Sequence, residues 1–239
     1  MSLADPKTRS VRSRAKALAL VLVTSGALVG GPTQSATFPW GFRVGWSGAR
    51  LGGDFGKIIG PDIRSDVTAS IFARFGLGSA LWFQPELGWV TKGGAGDVGP
   101  PSQDFFHLEH RVNYLEVPLL VRYEIPTRGA FGSYVLLGPA PAFRMGEVDT
   151  EESFIGKTAG VRPAKSSAQI FEDLGTGTWF RAESFDLGIV GGVGVGFGRG
   201  NVRLGIEARY DYGLLDVHPS EHADLRNEVF EVTTAVEFR

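Results

Sequence analysis

The stretch NVRLGIEARYDYGL, residues 201–214, alternates between apolar side chains and polar or very small ones. Successive side chains of a β-strand point to opposite faces, so this pattern predicts a strand with one apolar and one charged face. Such a strand needs an apolar medium on one side and partners for its charges on the other. The apolar face carries Val202, Leu204, Ile206, Ala208, Tyr210 and Tyr212, and the charged face carries Arg203, Gly205, Glu207, Arg209, Asp211 and Gly213.

The same two-residue period recurs along the chain, and no amphipathic helix of useful length interrupts it. Eight segments show this period, which predicts an all-β fold. These segments are residues 38–49, 65–76, 80–92, 111–125, 131–144, 183–197, 201–214 and 228–239.

The connections between the segments alternate in length. The long connections are residues 50–64, 93–110, 145–182 and 215–227, and the short ones centre on residues 76–79, 126–129 and 198–201. An up-and-down barrel produces this alternation because odd-numbered connections emerge at one end and even-numbered connections at the other. In membrane-spanning barrels the periplasmic turns are short and the extracellular loops are long.

The volume of the lumen decides which face points inward. An eight-stranded barrel is just wide enough to be filled by side chains, so large apolar residues would overfill it, whereas glycines and long charged chains can interleave. Basic residues facing lipid at the bilayer midplane would cost roughly 2–4 kcal/mol each. The expected fold of residues 37–239 is therefore an eight-stranded antiparallel up-and-down transmembrane β-barrel. The predicted lumen charges are Arg43, Arg74, Lys92, Arg122, Arg144, Arg203 and Arg209, against Glu86, Glu116, Glu124, Asp186, Glu207, Asp211, Glu231 and Glu237.

Aromatic residues at the strand ends provide a length check. Phe185 and Phe197 lie twelve residues apart, which in a tilted strand spans roughly 28 Å along the membrane normal. This approximates the apolar band between two aromatic girdles. The predicted membrane-interface aromatics are Trp40, Trp46, Trp89, Tyr123, Phe185, Phe197, Tyr210, Tyr212, Phe230 and Phe238.

Four prolines fall inside the predicted strands, at Pro85, Pro118, Pro139 and Pro141. Proline cannot donate a hydrogen bond to a β-ladder and belongs at edges or bulges, yet a closed barrel has no edge. We therefore expect local bulges at these positions.

The first 36 residues differ from the remainder of the chain. Basic residues from Lys7 to Lys16 precede the run ALALVLVTSGALVGG, which holds 15 apolar and small residues. This run is too short for a spanning helix, which needs about 20 residues, and it is typical of a secretory signal peptide. We expect residues 1–36 to be that signal peptide, with the cleavage position left open.

The composition excludes several classes of function. The formal net charge of −2 provides no basic footprint for nucleic acid. The chain contains no cysteine, so disulfides, thiolate metal sites and thiol nucleophiles are absent.

Five segments carry a family resemblance: LWFQPELGWVTKGG at 81–94, NYLEVPLLVRYEIP at 113–126, SYVLLGPAPAF at 133–143, FDLGIVGGVGVGF at 185–197 and EARYDYGLLDV at 207–217. Together they resemble the outer-membrane β-barrel domain family that includes PorT-like proteins and small OmpX- or OmpA-like barrels of Bacteroidetes-type bacteria. The resemblance implies an eight-stranded barrel in a Gram-negative outer membrane, and it brings no catalytic residues. One departure is that Arg239 follows Phe238, whereas a terminal aromatic residue is usual.

The four histidines fall in two predicted loops, as His107 and His110 and as His218 and His222. Imidazole with nearby carboxylates can bind zinc, which makes these residues weak metal candidates. Polar loop residues are the simpler interpretation, and no cofactor is predicted.

We expect a non-enzymatic, monomeric outer-membrane protein with a charged, largely filled lumen, which argues against general porin activity. Loops 93–110 and 145–182 could bind a protein or surface ligand in a structural, adhesive or secretion-associated role. One alternative is a secreted lipocalin-like barrel carrying an apolar ligand. Another is an outer-membrane hydrolase or acyltransferase using Asp97, Ser102, Asp104 and His107, although their spacing is not diagnostic.

Overall fold

A computed structural model describes residues 38–53, 62–98, 105–127, 129–146, 149–155, 183–198, 200–216 and 225–239. The chain divides into two units, Met1–Ala36 and Thr37–Arg239. The predicted signal peptide lies outside the described residues. In the part of the chain that is described, no helix has the length and apolar character needed to cross a membrane.

The described regular structure is entirely β. The strands are β1 (Trp40–Gly53), β2 (Arg64–Ala73), β3 (Phe75–Gly76), β4 (Leu81–Val98), β5 (Phe105–Glu116), β6 (Leu119–Ile125), β7 (Phe131–Arg144), β8 (Asp149–Ile155), β9 (Phe185–Phe197), β10 (Val202–Gly213) and β11 (Leu225–Phe238).

The strands close into an antiparallel ring with eight positions. β2 and β3 occupy one position beside β4, and β5 and β6 occupy another between β4 and β7. β7 continues through β9, β10 and β11 to β1, and β1 pairs with β2 to complete the ring. The predicted all-β, eight-stranded antiparallel fold is confirmed.

Short turns join the strands at one end of the ring, which we call the short-turn end. Gly129 and Gly200 lie in two of these turns and have φ angles of 105° and 73°. Backbone in this left-handed region favours glycine, because a Cβ would clash there. The opposite end, which carries the longer connections, is the long-loop end.

The long strands of the ring turn large apolar side chains outward and most polar side chains inward, although some apolar side chains, such as Val90, Val112 and Leu120, are also buried inside. On β10, Ile206 is 59% exposed, whereas its neighbour Glu207 is 3% exposed. On β9, Val193 is 58% exposed and Asp186 is fully buried. Water would not favour so continuous an apolar exterior, but hydrocarbon does.

The expected bulges at the four prolines are wrong. The register of β4 against β5 and β6 continues unshifted past Pro118, and the register of β7 against β9 continues past Pro139 and Pro141. Pairing of β2 and β3 with β4 also keeps one register on both sides of Pro85. The proline carbonyls still take part in the ladder, since Glu86 N donates to Pro118 O at 2.9 Å and Val117 N donates to Pro141 O at 2.8 Å. Each proline therefore removes one hydrogen-bond donor from the ladder, but it does not add the extra residue that defines a β-bulge.

All four predicted long loops contain some strand residues, and two of them contain long strand segments. β4 continues to Val98 and β5 begins at Phe105, within the predicted loop 93–110. β8 lies within the predicted loop 145–182 and pairs with β5. The outward positions of these extensions no longer face lipid, so the alternation that reveals a lipid-facing strand is lost there.

Candidate functional site

Glu86 is the hub of an ion-pair layer in the middle of the lumen. The carboxylate of Glu86 accepts hydrogen bonds from Arg43 Nε at 3.0 Å and from both terminal nitrogens of Arg209 at 2.9 and 2.6 Å. Ser70 and Gln84 donate to the same carboxylate at 3.2 and 2.7 Å. Its charge is thus neutralised from two sides, as a buried carboxylate requires.

The same two arginines connect the hub to the facing strands. Arg43 Nη1 donates to Glu231 at 2.8 Å, and Arg209 is paired with Glu207. These residues come from β1, β4, β10 and β11, so the middle layer crosses the barrel from wall to wall.

A second layer lies nearer the long-loop end and is centred on Lys92. Its ammonium group lies 2.9 Å from Glu116, 3.2 Å from Asp186 and 2.7 Å from Asp211. Asn227 also donates to Asp186, at 3.1 Å. One cation here faces three carboxylates.

A third layer lies at the short-turn end. Glu124 Oε1 is 2.6 Å from Arg74 Nη1, 3.2 Å from Arg122 Nη2 and 3.1 Å from Arg203 Nη1. Arg74 is also paired with Glu237. In this layer the cations outnumber the carboxylates.

Tyr134 packs between the middle and short-turn layers. The Arg122 guanidinium lies 3.3 Å from the centroid of the Tyr134 ring, a cation–π arrangement. A Cβ at Gly194 would overlap this ring, so the glycine makes room for it. A neighbouring cavity of about 20 Å³, lined in part by Arg122 and Arg209, has room for about one water. Described side chains therefore fill the lumen at this level.

The structure brings the predicted lumen charges into these layers, with Arg144 on the inward face of β7 beyond the Lys92 layer. Sequence reasoning missed the uncharged members Tyr134, Gln84 and Ser70. Each lies on the inward parity of its strand, so a search of that parity for hydrogen-bonding and aromatic side chains would have found them.

Aromatic residues form a belt at each end of the apolar exterior. At the short-turn end, the ring centroids of Trp40 and Phe238 lie 4.8 Å apart and those of Phe131 and Phe197 lie 4.9 Å apart. Toward the long-loop end, Trp46 contacts Phe230 at 6.2 Å and Phe143 contacts Phe185 at 5.4 Å. The remaining predicted interface aromatics are exposed, namely Trp89, Tyr123, Tyr210 and Tyr212.

The two histidines of β5 are three positions apart, which puts His107 and His110 on opposite faces of the strand. Within the described ranges, no group of three or more His, Cys, Asp or Glu side chains could hold a metal ion. His218 and His222 lie outside those ranges. His110 lies beyond the apolar exterior of β5, and burial lowers its pKa to about 4.

The residues suggested for a hydrolase do not assemble into a described site. Ser102 and Asp104 lie outside the described residues. The β4–β5 register places Asp97 opposite His107 at the backbone level.

Beyond the apolar exterior, β4, β5 and β8 continue as a three-stranded sheet. The outward positions of β5 change from Leu115 to Asn113, Arg111 and Glu109, which marks the end of the lipid-facing segment. β8 pairs with β5 on one side and ends the sheet order on the other, within the part of the chain that is described.

Comparison with known proteins identifies the family of this chain. Residues 33–218 match the model of the family described as outer membrane protein beta-barrel domain. A search of the curated proteins finds no match.

Similar solved structures include Neisserial surface protein A, with 13% identity, 83% of this chain and 97% of that chain covered, and a TM-score of 0.43. Ail, the attachment invasion locus protein of Yersinia pestis, has 12% identity, 84% and 99% coverage and a TM-score of 0.38. The N-terminal barrel domain of Pseudomonas aeruginosa OprF has 11% identity, 83% and 97% coverage and a TM-score of 0.36. On the family match, the chain belongs to the outer-membrane β-barrel domain family and is an outer-membrane protein.

Proposed function

We propose that this protein is a non-enzymatic outer-membrane barrel that binds a protein partner at the cell surface through the sheet formed by β4, β5 and β8. The observation that carries the proposal is the free outer edge of β8 in the described part of the sheet, beyond the lipid-facing segment. A strand edge presents a row of backbone donors and acceptors that an extended segment of another protein can join.

The filled lumen supports a binding role over transport. Fully buried Arg74, Lys92 and Asp186 belong to ion pairs that cross the interior. A solute would have to break several of these pairs to pass, leaving buried charges without partners. We therefore expect no large, steady conductance in planar bilayers.

The same interior disfavours the lipocalin-like alternative. A carrier of an apolar ligand needs an apolar cavity, whereas the interior holds buried Glu86, Arg209 and Lys92. The protein should accordingly remain with outer membranes during extraction and require detergent for release.

A photocrosslinking experiment on intact cells tests the proposed binding edge. A photoreactive phenylalanine analogue at Glu151, in the middle of β8, should give a discrete adduct with one protein. The same analogue at lipid-facing Val193 serves as the matched control and should give none.

A second variant tests whether the backbone edge makes the contact. Glu152 lies opposite Leu108, whose backbone faces β4, so the N–H of Glu152 points to the outer edge of β8. Glu152→Pro removes that N–H and should reduce the adduct formed from position 151. No adduct at position 151, or an adduct of equal yield from position 193, would contradict the proposal. An adduct unaffected by the proline would place the contact elsewhere.

A further inference from the structure

A cavity of about 330 Å³ opens at the short-turn end of the barrel. Its lining includes Glu124, Thr127, Ser133, Arg203 and Arg239. This volume lies within the roughly 300–1,000 Å³ of pockets that hold small ligands. The cavity lies at the opposite end from the sheet of β4, β5 and β8, so it is independent of the surface proposed above.

Glycines fix the position of Arg203 in this cavity. A Cβ at Gly132 or at Gly196 would overlap the guanidinium group of Arg203, so both positions give that group its space. Nη1 of Arg203 lies 3.1 Å from Glu124 Oε1, which is also shared with Arg74 and Arg122. The guanidinium of Arg203 is therefore held at the wall of the cavity. Its one ion-pair partner there, Oε1 of Glu124, is also paired with two other arginines.

The charge of this layer is not balanced. The four guanidinium groups of Arg74, Arg122, Arg203 and Arg239 face the side-chain carboxylates of Glu124 and Glu237. The Nε–H groups of Arg74 and Arg122 are buried and donate to no acceptor. Arg74 and Arg122 do not line the cavity, but their incompletely neutralised charge makes the electrostatic potential there more favourable for an anion.

We propose that the short-turn mouth is an anion-binding site in which Arg203 is the principal contact. The guanidinium fork suits carboxylate and phosphate groups, which accept two parallel hydrogen bonds. In an outer-membrane barrel the short turns face the periplasm. The ligand is thus a periplasmic solute or peptide that presents a carboxylate or a phosphate.

Titration of the purified full chain in a non-ionic detergent tests the site. One titration uses inorganic phosphate. A second compares a short peptide that has a free carboxyl terminus with the same peptide carrying a C-terminal amide. Binding of phosphate identifies a phosphate source, and binding of only the free-acid peptide identifies a carboxylate source. Absence of binding in both titrations would overturn the proposal.

Two variants separate a built site from diffuse positive charge. Arg203→Gln should weaken binding at least tenfold, since one charge-assisted contact is lost. Gly196→Ala keeps every charge but displaces the guanidinium, and it should weaken binding by a similar factor. Heat-dependent gel mobility reports whether each variant has folded.

Arg226→Gln is the matched control. Arg226 lies near the other end of the barrel, with its guanidinium 5.9 Å from the ring centroid of Tyr212, and its replacement should leave the affinity unchanged. Equal weakening by Arg226→Gln, or unchanged affinity in both Arg203→Gln and Gly196→Ala, would show that the charge acts diffusely and would overturn the proposal.

Discussion

The outward and inward faces of a barrel strand differ sharply in polarity and in exposure. Outward residues such as Ile206 and Val193 are apolar and more than half exposed, whereas inward Glu86 and Arg209 are charged and almost fully buried. The usual rule for soluble proteins is inverted because the solvent outside is hydrocarbon. The polarity of a side chain in this barrel therefore depends on whether its strand face meets lipid or the lumen, and it does not follow from burial alone.

The two faces should also differ in how they respond to substitution. An inward charge is stabilised by specific partners, so its removal harms the residues that remain. An outward apolar residue has no specific partner, so only its transfer into or out of lipid matters.

The largest effect is expected from Glu86→Ala. Removing the hub leaves Arg43 and Arg209 with one carboxylate partner fewer in a buried layer, which should lower the free energy of unfolding by about 3–5 kcal/mol. Urea unfolding of the protein in lipid vesicles measures this change.

Glu228→Ala is the control for Glu86→Ala. Glu228 pairs at 2.6 Å with Arg50, whose side chain is 45% exposed, so its loss should cost about 0–1 kcal/mol. Equal losses for the two variants would mean that the lumen layer contributes no more than a pair at the rim.

A charge on the outward face comes next. Ile206→Arg places a cation near the middle of the lipid-facing part of β10 and should lower the free energy of unfolding by about 2–4 kcal/mol. Val202→Arg introduces the same side chain at the short-turn end of this face, where the cost should be about 0–1 kcal/mol. The same unfolding measurement compares them, and a cost that does not depend on depth would argue against lipid as the outer medium.

The smallest effect concerns the sheet beyond the lipid-facing segment, where the side chain of His110 is buried. Burial lowers the pKa of His110 to about 4 from its ordinary 6.5, so between these pH values only the opened sheet binds the proton. Lowering the pH from 7.5 to 5.5 should therefore reduce the stability of this sheet by about 1.4 kcal/mol. Amide hydrogen exchange in residues 105–112 measures it.

His110→Leu is the control for this pH effect, because it removes the titrating group while keeping an apolar side chain. The exchange rates of the variant should lose their dependence on pH in this range beyond that of the chemical exchange itself. A wild-type sheet equally protected at both pH values would contradict the assignment.

The sequence was most informative where the two faces meet different media. The parity of residues 201–214 and 183–197 predicted which side chains point inward, because lipid and lumen impose opposite chemistry on alternate residues. It failed where that contrast ends, as in β8 and the first half of β5. It also misjudged Pro118, because a missing N–H can be tolerated without a change of register. Neither the partners within the ion-pair layers nor the space left for Arg203 could be predicted, since both depend on how distant strands align across the ring.

The ring closes where Trp40 on the first strand meets Phe238 on the last. Almost the whole polypeptide separates these two residues, so the loop that must be closed is very long and its closure is expected to be slow. Until that step, β1 and β11 each keep an unsatisfied row of amides that hydrocarbon cannot accommodate. Entry into the bilayer and completion of the cylinder are therefore coupled, and half of this molecule has no stable existence in a membrane.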